Sequence, residues 1–226
     1  MKKINVAIDG PAAGGKTTVA RLLATKLGLI YVDTGMMYRA VSWQALQDNC
    51  NLDDAESLGK LAEGLDLRLE ADAGSGCRVY VSSKDLTDLL HEPEINVVVP
   101  KVAAVSLVRR DMVRRQRELA DQGGIVMAGR DICTVVLPDA RLKYYLDASL
   151  EERTRRRVKD LESSGHKVTF EEVKEQLAKR DYDDSHRSDS PLIQAPDAKY
   201  IDSDNLSALE IVEIMIQDYQ QALSEV

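Results

Sequence analysis

The chain has 226 residues, of which 44% are hydrophobic and 30% charged, and carries a net charge of −8. That balance suits one sizeable core, or one core carrying a smaller inserted lobe, and no apolar run approaches the roughly 20 residues needed to span a membrane. The acidity argues against broad attraction to nucleic acid or to an anionic membrane surface, so an anionic ligand must meet a local basic site.

In chain order, the first feature is Lys2 and Lys3 followed by an apolar stretch that Asp9 and Gly10 cut short. This predicts a strand over residues 4–8 instead of a secretion signal, and with it a cytoplasmic address. Helical periodicity follows over residues 16–27, and further short apolar runs at 29–32, 125–127, 142–146 and 200–201 predict four more strands. Strands alternating with helices predict an α/β fold with a parallel five-stranded sheet. Residues 66–84 break the alternation: Leu67 and Leu69, a turn at Ala73, Gly74, Ser75 and Gly76, then Val79 and Val81 at period two predict an inserted antiparallel hairpin. Three capping boxes, Ser149 with Glu152, Thr169 with Glu172 and Ser207 with Glu210, mark helix starts in the last third. Cys50, Cys77 and Cys133 are odd in number and widely spaced, which predicts reduced thiols and neither a disulfide framework nor a zinc site.

Between the first strand and the first helix stands Gly10-Pro11-Ala12-Ala13-Gly14-Gly15-Lys16-Thr17, which fills the pattern GxxxxGK[ST]. Glycines let successive backbone N–H groups wrap an anion at the positive end of the following helix. Lys16 is suited to reach the outer phosphate oxygens of a nucleoside triphosphate, and the Thr17 hydroxyl to ligate Mg²⁺. Beyond this loop the chain holds Arg39, Arg109, Arg130, Arg153, Arg156, Arg157, Arg180 and Arg187. Placed arginines are what phosphoryl transfer demands, because it needs positioning and charge neutralisation more than covalent chemistry. The basic run from Arg109 to Arg117 is interleaved with acidic residues and does not predict nucleic-acid binding.

Four further elements stand in order: Ile8-Asp9-Gly10-Pro11, then Asp33-Thr34-Gly35 with Tyr38 and Arg39, then Gly129-Arg130-Asp131, and the run from Arg180 to Arg187. Together with the hairpin, Ser149 to Arg153 and the Ser190-Pro191-Leu192 turn, they resemble the bacterial cytidylate kinases. The resemblance implies a three-layer P-loop NTPase core (residues 1–40, 101–150 and 185–226), an inserted antiparallel β acceptor-binding lobe (about 41–100) and a helical lid (about 151–184). It implies ATP-dependent phosphorylation of CMP and dCMP with Mg²⁺, by a monomer that engages neither nucleic acid nor membrane. Residues Gly10, Pro11, Ala12, Ala13, Gly14, Gly15, Lys16, Thr17 and Thr18, with Arg156, would bind ATP, and Thr17 the metal. CMP would be held by Thr34, Tyr38, Arg39, Pro100, Arg109, Arg130, Asp131, Arg180, Asp184 and Arg187. Catalytic roles would fall to Lys16, Arg130, Arg153 and Arg157. An aspartate on cytosine is chemically apt, since the exocyclic amine donates where uracil presents an acceptor.

The chain departs from that pattern at four places. Ala128 stands where an acidic residue usually holds water on Mg²⁺, leaving Asp9 and Asp33 as nearby substitutes, and Cys133 stands where glycine is usual and would crowd a turn. Pro100 replaces a serine, keeping a carbonyl acceptor but losing the donor, and His91 replaces an arginine. Two other readings stay open here: a kinase for another nucleoside monophosphate such as UMP, and a non-catalytic nucleotide-dependent binding module. The chain has no guanine-reading Asn-Lys-x-Asp, which disfavours a GTPase switch.

Overall fold

The computed structural model describes residues 3–72 and 76–225. Its main sheet joins β1 (Val6–Asp9), β2 (Ile30–Asp33), β6 (Ile125–Gly129), β7 (Leu142–Asp147) and β8 (Lys199–Asp202), all parallel, in the order β2-β6-β1-β7-β8. Each begins and ends within two residues of its predicted run, and all five extend further at the carboxyl end. Both faces are covered, so strand residues alternate between two apolar layers instead of between core and solvent. Val6, Ile8, Tyr144 and Leu146 pack with Val19 and Leu23 of α1 (Lys16–Leu27) and with Ile211 and Met215 of α8 (Ala208–Ser224). On the opposite face Ala7, Val32 and Met127 meet Ala120, Ile132 and Val136.

Helix ends follow local chemistry. Gly28, at φ 63°, closes α1 with its N–H on the Ala24 and Thr25 carbonyls. Asp33 caps α2 (Thr34–Gln47) by accepting from Gly35 N–H at 2.9 Å. The boxes at Thr169 and Ser207, opening α7 (Phe170–His186) and α8, are complete. The predicted box at Ser149, opening α6 (Leu150–Ser163), is only half made. Ser149 accepts from Glu152 N–H, but the Glu152 carboxylate is taken by Arg155 and Arg156, and Asp204 accepts the Ser149 N–H at 2.7 Å.

The inserted lobe carries β3 (Leu67–Asp72), β4 (Gly76–Val81) and β5 (Lys84–Asp85), antiparallel in that order, one strand more than the predicted hairpin. The predicted turn at Ala73, Gly74 and Ser75 lies outside the described residues. Leu67 with Val81, and Leu69 with Val79, face a second core shared with α2, α3 (Ala55–Gly64), α4 (Pro93–Ala103) and α5 (Ser106–Ala120). That core also takes in Met36 and Met37 before residue 40 and Val108 and Met112 after residue 100. The divides at 40/41 and 100/101 therefore fall inside α2 and α4. The later part of the basic run on α5 is structural: Arg115 donates to the carbonyls closing α3, Arg117 to those of Val135 and Val136, and Arg114 and Arg115 both pair with Asp111.

Leu58 is fully buried in the lobe core, so Leu58→Ala is expected to cost about 2–5 kcal/mol. Denaturant unfolding that shifts by less than about 1 kcal/mol would show that the lobe core carries little of the stability.

Candidate active site

Because the sheet is parallel, the carboxyl ends of β1, β2 and β6 open on one edge, where α/β sheets bind ligands. A cleft of about 470 Å³ lies there, lined by the phosphate loop from Ala12 to Thr18, the strand ends at Asp33, Ala128 and Gly129, and residues of α2, α4, α6 and α7. Eight cations, Lys16, Arg39, Arg109, Arg130, Arg156, Arg157, Arg180 and Arg187, face it against four carboxylates, Asp33, Asp131, Asp160 and Asp184. In a chain of net charge −8 this is the local basic site that an anion requires.

The loop has the backbone of a phosphate cradle. Gly10 lies at φ 150°, where a Cβ would stand 2.0 Å from the Leu146 carbonyl oxygen, and Gly15 at φ 88° caps α1. Gly10 and Pro11 sit behind the cleft lining, Pro11 offering its carbonyl to Lys16 Nζ at 2.6 Å. Burial, and next the charge of Arg130, press the Lys16 ammonium well below its usual range. Thr17 Oγ1 donates to Asp33 Oδ2 at 3.4 Å, placing two hard oxygens side by side at the cleft. Ala128 is the register partner of Asp33 and adds only a methyl group.

At the middle of the cleft Arg130 Nε pairs with Asp184 at 2.9 Å. Arg180, four residues before Asp184, makes no ion pair with it: the carboxylate has turned to Arg130, and Arg180 stays at the cleft with its pKa pushed down to about 10 by burial and the neighbouring Arg130 charge. Arg39 donates to the Leu90 carbonyl at 3.0 Å and to Asn96 at 2.6 Å, and burial lowers its pKa. Arg157 is close enough to depress both. At the far end, beside Val99, Pro100 and Ala103, Asp131 is buried and accepts from Arg109, with Arg187 Nη2 3.8 Å from its other oxygen. Arg109 stacks 5.4 Å over the Tyr38 ring, whose buried hydroxyl has no hydrogen-bond partner. Thr34 donates to the Ala128 carbonyl at 3.0 Å, and His91 lines the wall near Arg39.

Four expectations need correction. Arg153 is not at the cleft: it is buried, with Nε on the Ala148 carbonyl, and Nη1 on the Ala12 carbonyl and on Asp181 at 2.6 Å, so it braces the back of the loop. Asp9 is no substitute for a carboxylate at 128, because its oxygens accept Ile132 N–H and Cys133 N–H, both at 2.8 Å. Cys133 does not crowd its turn: residues Ile132–Val136 form a π-helical turn without positive φ, and the thiol points to the Tyr144 carbonyl. Pro100 does not hold out a free carbonyl, since it lies within α4 and Ala104 N–H takes that oxygen. Asn96, Ser203, which holds Arg156, and Asp160 belong to the site without any motif to announce them.

Comparison with known proteins follows the same lines. The family model described as cytidylate kinase matches residues 6–221. A cytidylate kinase of Ligilactobacillus salivarius is 48% identical over 217 residues, covering 95% of this chain and 96% of its own length. One from Bacillus subtilis is 44% identical over 220 residues, covering 97% and 98%. A crystal structure of an uncharacterised protein from Eubacterium ventriosum superposes with a TM-score of 0.54 at 13% identity, covering 97% of this chain and 99% of that one, a likeness of fold alone. Among the described residues no helix is long and apolar enough to cross a membrane.

Burial, with a smaller push from Asp131, raises the Asp9 carboxyl from 3.8 to about 6, against the two N–H bonds it accepts. Between those values the folded chain binds more protons than the unfolded one, so Asp9's contribution is complete at low pH and is lost as pH rises through about 6. Asp9→Asn removes this slope. Unfolding free energies at pH 4.5 and pH 7 are expected to fall by on the order of 2 kcal/mol more in the parent than in the variant; parallel pH profiles would contradict the assignment.

Proposed function

The chain belongs to the cytidylate kinase family, and on that premise we propose that it transfers the γ-phosphoryl group of ATP to CMP and dCMP, giving CDP and dCDP. The observation that carries this is one cleft with a phosphate loop at one end and, at the other, a buried carboxylate, Asp131, between Arg109 and Arg187.

The acceptor needs no general base. A nucleoside monophosphate has a second pKa near 6 and offers an unprotonated oxygen at neutral pH. That oxygen bonds to the γ-phosphorus as the bond to the β-bridging oxygen breaks, and ADP leaves. What the protein supplies is placement and positive charge. Arg39 and Arg130 hold the acceptor phosphate, each presenting a planar fork that matches phosphate oxygens in pairs. Lys16 and the loop amides hold the transferring group, and Arg157 draws in over it as α6 and α7 close, excluding water. Arg156, fixed to Ser203, flanks the ATP side. Arg180 and Asp184 face the acceptor ribose.

Asp131 accepts the cytosine amine. Its carboxylate retains acceptor capacity after engaging Arg109, whereas a uracil carbonyl there would set acceptor against acceptor. Pro100 has only apolar surface to add beside the base, so discrimination rests on Asp131, Arg109 and Arg187. Thr17 and Asp33 fit a hard divalent cation, and Mg²⁺ bound there with ATP supplies charge neutralisation and orientation of the phosphates. With Ala128 in place of a carboxylate, Asp33 is the side-chain carboxylate that stands beside Thr17. The reading carries with it a monomer working in the cytoplasm on free nucleotides, away from nucleic acid and membrane.

A coupled ADP-release assay with ATP, Mg²⁺ and each of CMP, dCMP, UMP, AMP and GMP tests it. CMP and dCMP are expected to turn over at about 1–100 s⁻¹, and UMP or AMP exceeding CMP in kcat/KM would overturn the cytosine assignment. Arg130→Ala is expected to lower kcat/KM for CMP by about 10²- to 10³-fold, the scale of losing one charged contact made in the transition state. Retention of full activity would remove Arg130 from the phosphate site.

A further inference from the structure

Behind the base end of the cleft, the segment joining α7 to β8 turns a corner at Asp189 and Ser190. Ser190 has φ 51°, a left-handed conformation that a residue with a Cβ adopts only when its surroundings hold it there. Leu192 N–H on the Asp184 carbonyl, at 2.8 Å, is one such tether. The corner sends the Ser190 carbonyl to Arg187 Nε at 2.6 Å, and the Ser190 hydroxyl donates to Asp189 Oδ1 at 2.8 Å. Ser106, the first residue of α5, lies near enough to the Asp189 carboxylate to help hold it ionised. That carboxylate stands 3.9 Å from Arg109 Nε, a buried nitrogen with no hydrogen-bond partner, while the other two nitrogens of Arg109 are taken by Asp131 and by the Ala103 carbonyl at 3.1 Å.

Charge explains the arrangement. Arg109 and Arg187 both flank Asp131, and Arg187 also lies 4.0 Å from Asp184, which Arg130 already holds, so three guanidinium groups share two carboxylates and a positive charge is left over. Asp189 approaches Arg109 from the side away from the cleft, touching Arg109 through its side chain and Arg187 through the next residue's carbonyl. Its own carboxyl, although partial burial works against ionisation, is held below the usual range by Ser190, Ser106 and the two arginines. Without it, Arg109, Arg130 and Arg187 would share two carboxylates, because Asp184, 4.0 Å from Arg187 Nη1, is already paired with Arg130, and Asp131 would be drawn further into the cations it serves.

We propose that Asp189 is a positioning residue for acceptor-base recognition: it supplies the carboxylate the arginine cluster lacks and braces Arg109 from behind, leaving Asp131 oriented into the cleft with acceptor capacity to spare. This rests on the reading that Asp131 meets the cytosine. Asp189 is partly exposed and borders an open cavity of about 510 Å³ on the outer side of α5, so substitution there leaves the cores intact.

The test is steady-state kinetics of the full chain and of Asp189→Asn, Asp189→Ala and Asp189→Glu, varying CMP, UMP and ATP. Asn and Ala are expected to raise KM for CMP about tenfold, to leave kcat and KM for ATP within about twofold, and to narrow the CMP-to-UMP ratio of kcat/KM, as loss of one close charge contact implies. Glu is expected to restore KM for CMP to within about threefold. Should the Ala variant fold poorly, the Asn variant decides alone, because it keeps the shape and removes the charge. An unchanged KM for CMP in an Asn variant of an active parent, or equal rises for CMP and ATP, overturns the proposal by itself. A parent that does not phosphorylate CMP overturns the acceptor reading, and the proposal with it.

Discussion

Eight cations crowd one edge of a five-stranded sheet in a molecule that is acidic as a whole, and mutual repulsion among them is the constraint that the surrounding structure answers. Burial and neighbouring charge press Lys16, Arg39 and Arg180 below their usual pKa ranges, which is the electrostatic signature of groups assembled for a ligand more than for one another. The carboxylates are placed where they relieve that repulsion without filling the cleft. Asp184 serves Arg130, Asp131 serves Arg109 and Arg187, and the Leu90 carbonyl and Asn96 side chain hold Arg39. A nucleotide pair bearing several negative charges completes a balance that the protein leaves positive, so binding and chemistry draw on the same electrostatic source.

Carboxylates at the strand ends divide into structural and cleft-facing groups, and position along the edge decides which. Asp9 ends the central strand under the turn that follows Arg130 and Asp131, so its oxygens are captured by the amides of that turn. Arg130 and Asp131 are thereby fastened to the strand from which the phosphate loop departs, and the two ends of the cleft share one support. Asp33 lies at the edge strand, where it caps α2 through one oxygen and keeps the other beside Thr17. In a neighbourhood where Ala128 contributes a methyl group, that second oxygen accepts from the Tyr31 hydroxyl at 3.2 Å as well as from Thr17.

Arginine is used in three physically different ways. On α5 it ties helices together by donating to carbonyls at helix and turn ends, which costs little because those acceptors would otherwise need water. At Arg153 it is sunk behind the phosphate loop, joining that loop to α7 through Asp181. In the cleft it stays partly unsatisfied, and only this third use bears on chemistry. Residue type alone does not separate the three.

The alternation of apolar runs and helical periods was enough to predict a parallel α/β sheet with an antiparallel insertion, because strand and helix periods are local properties of the chain. The phosphate loop was legible for the same reason: its glycines, lysine and threonine act within eight consecutive residues. The family resemblance also pointed to Arg39, Arg109, Arg130 and Asp131, which the fold gathers into one cleft. Only the tertiary structure decided partnership. Asp184 lies one helical turn from Arg180 yet pairs with Arg130, Asp9 closes a turn more than 120 residues away, and Asp189 reaches Arg109 across two elements. Such pairings depend on distances set by packing, which no local pattern encodes, and they determine which charges are spent on structure and which remain for a ligand.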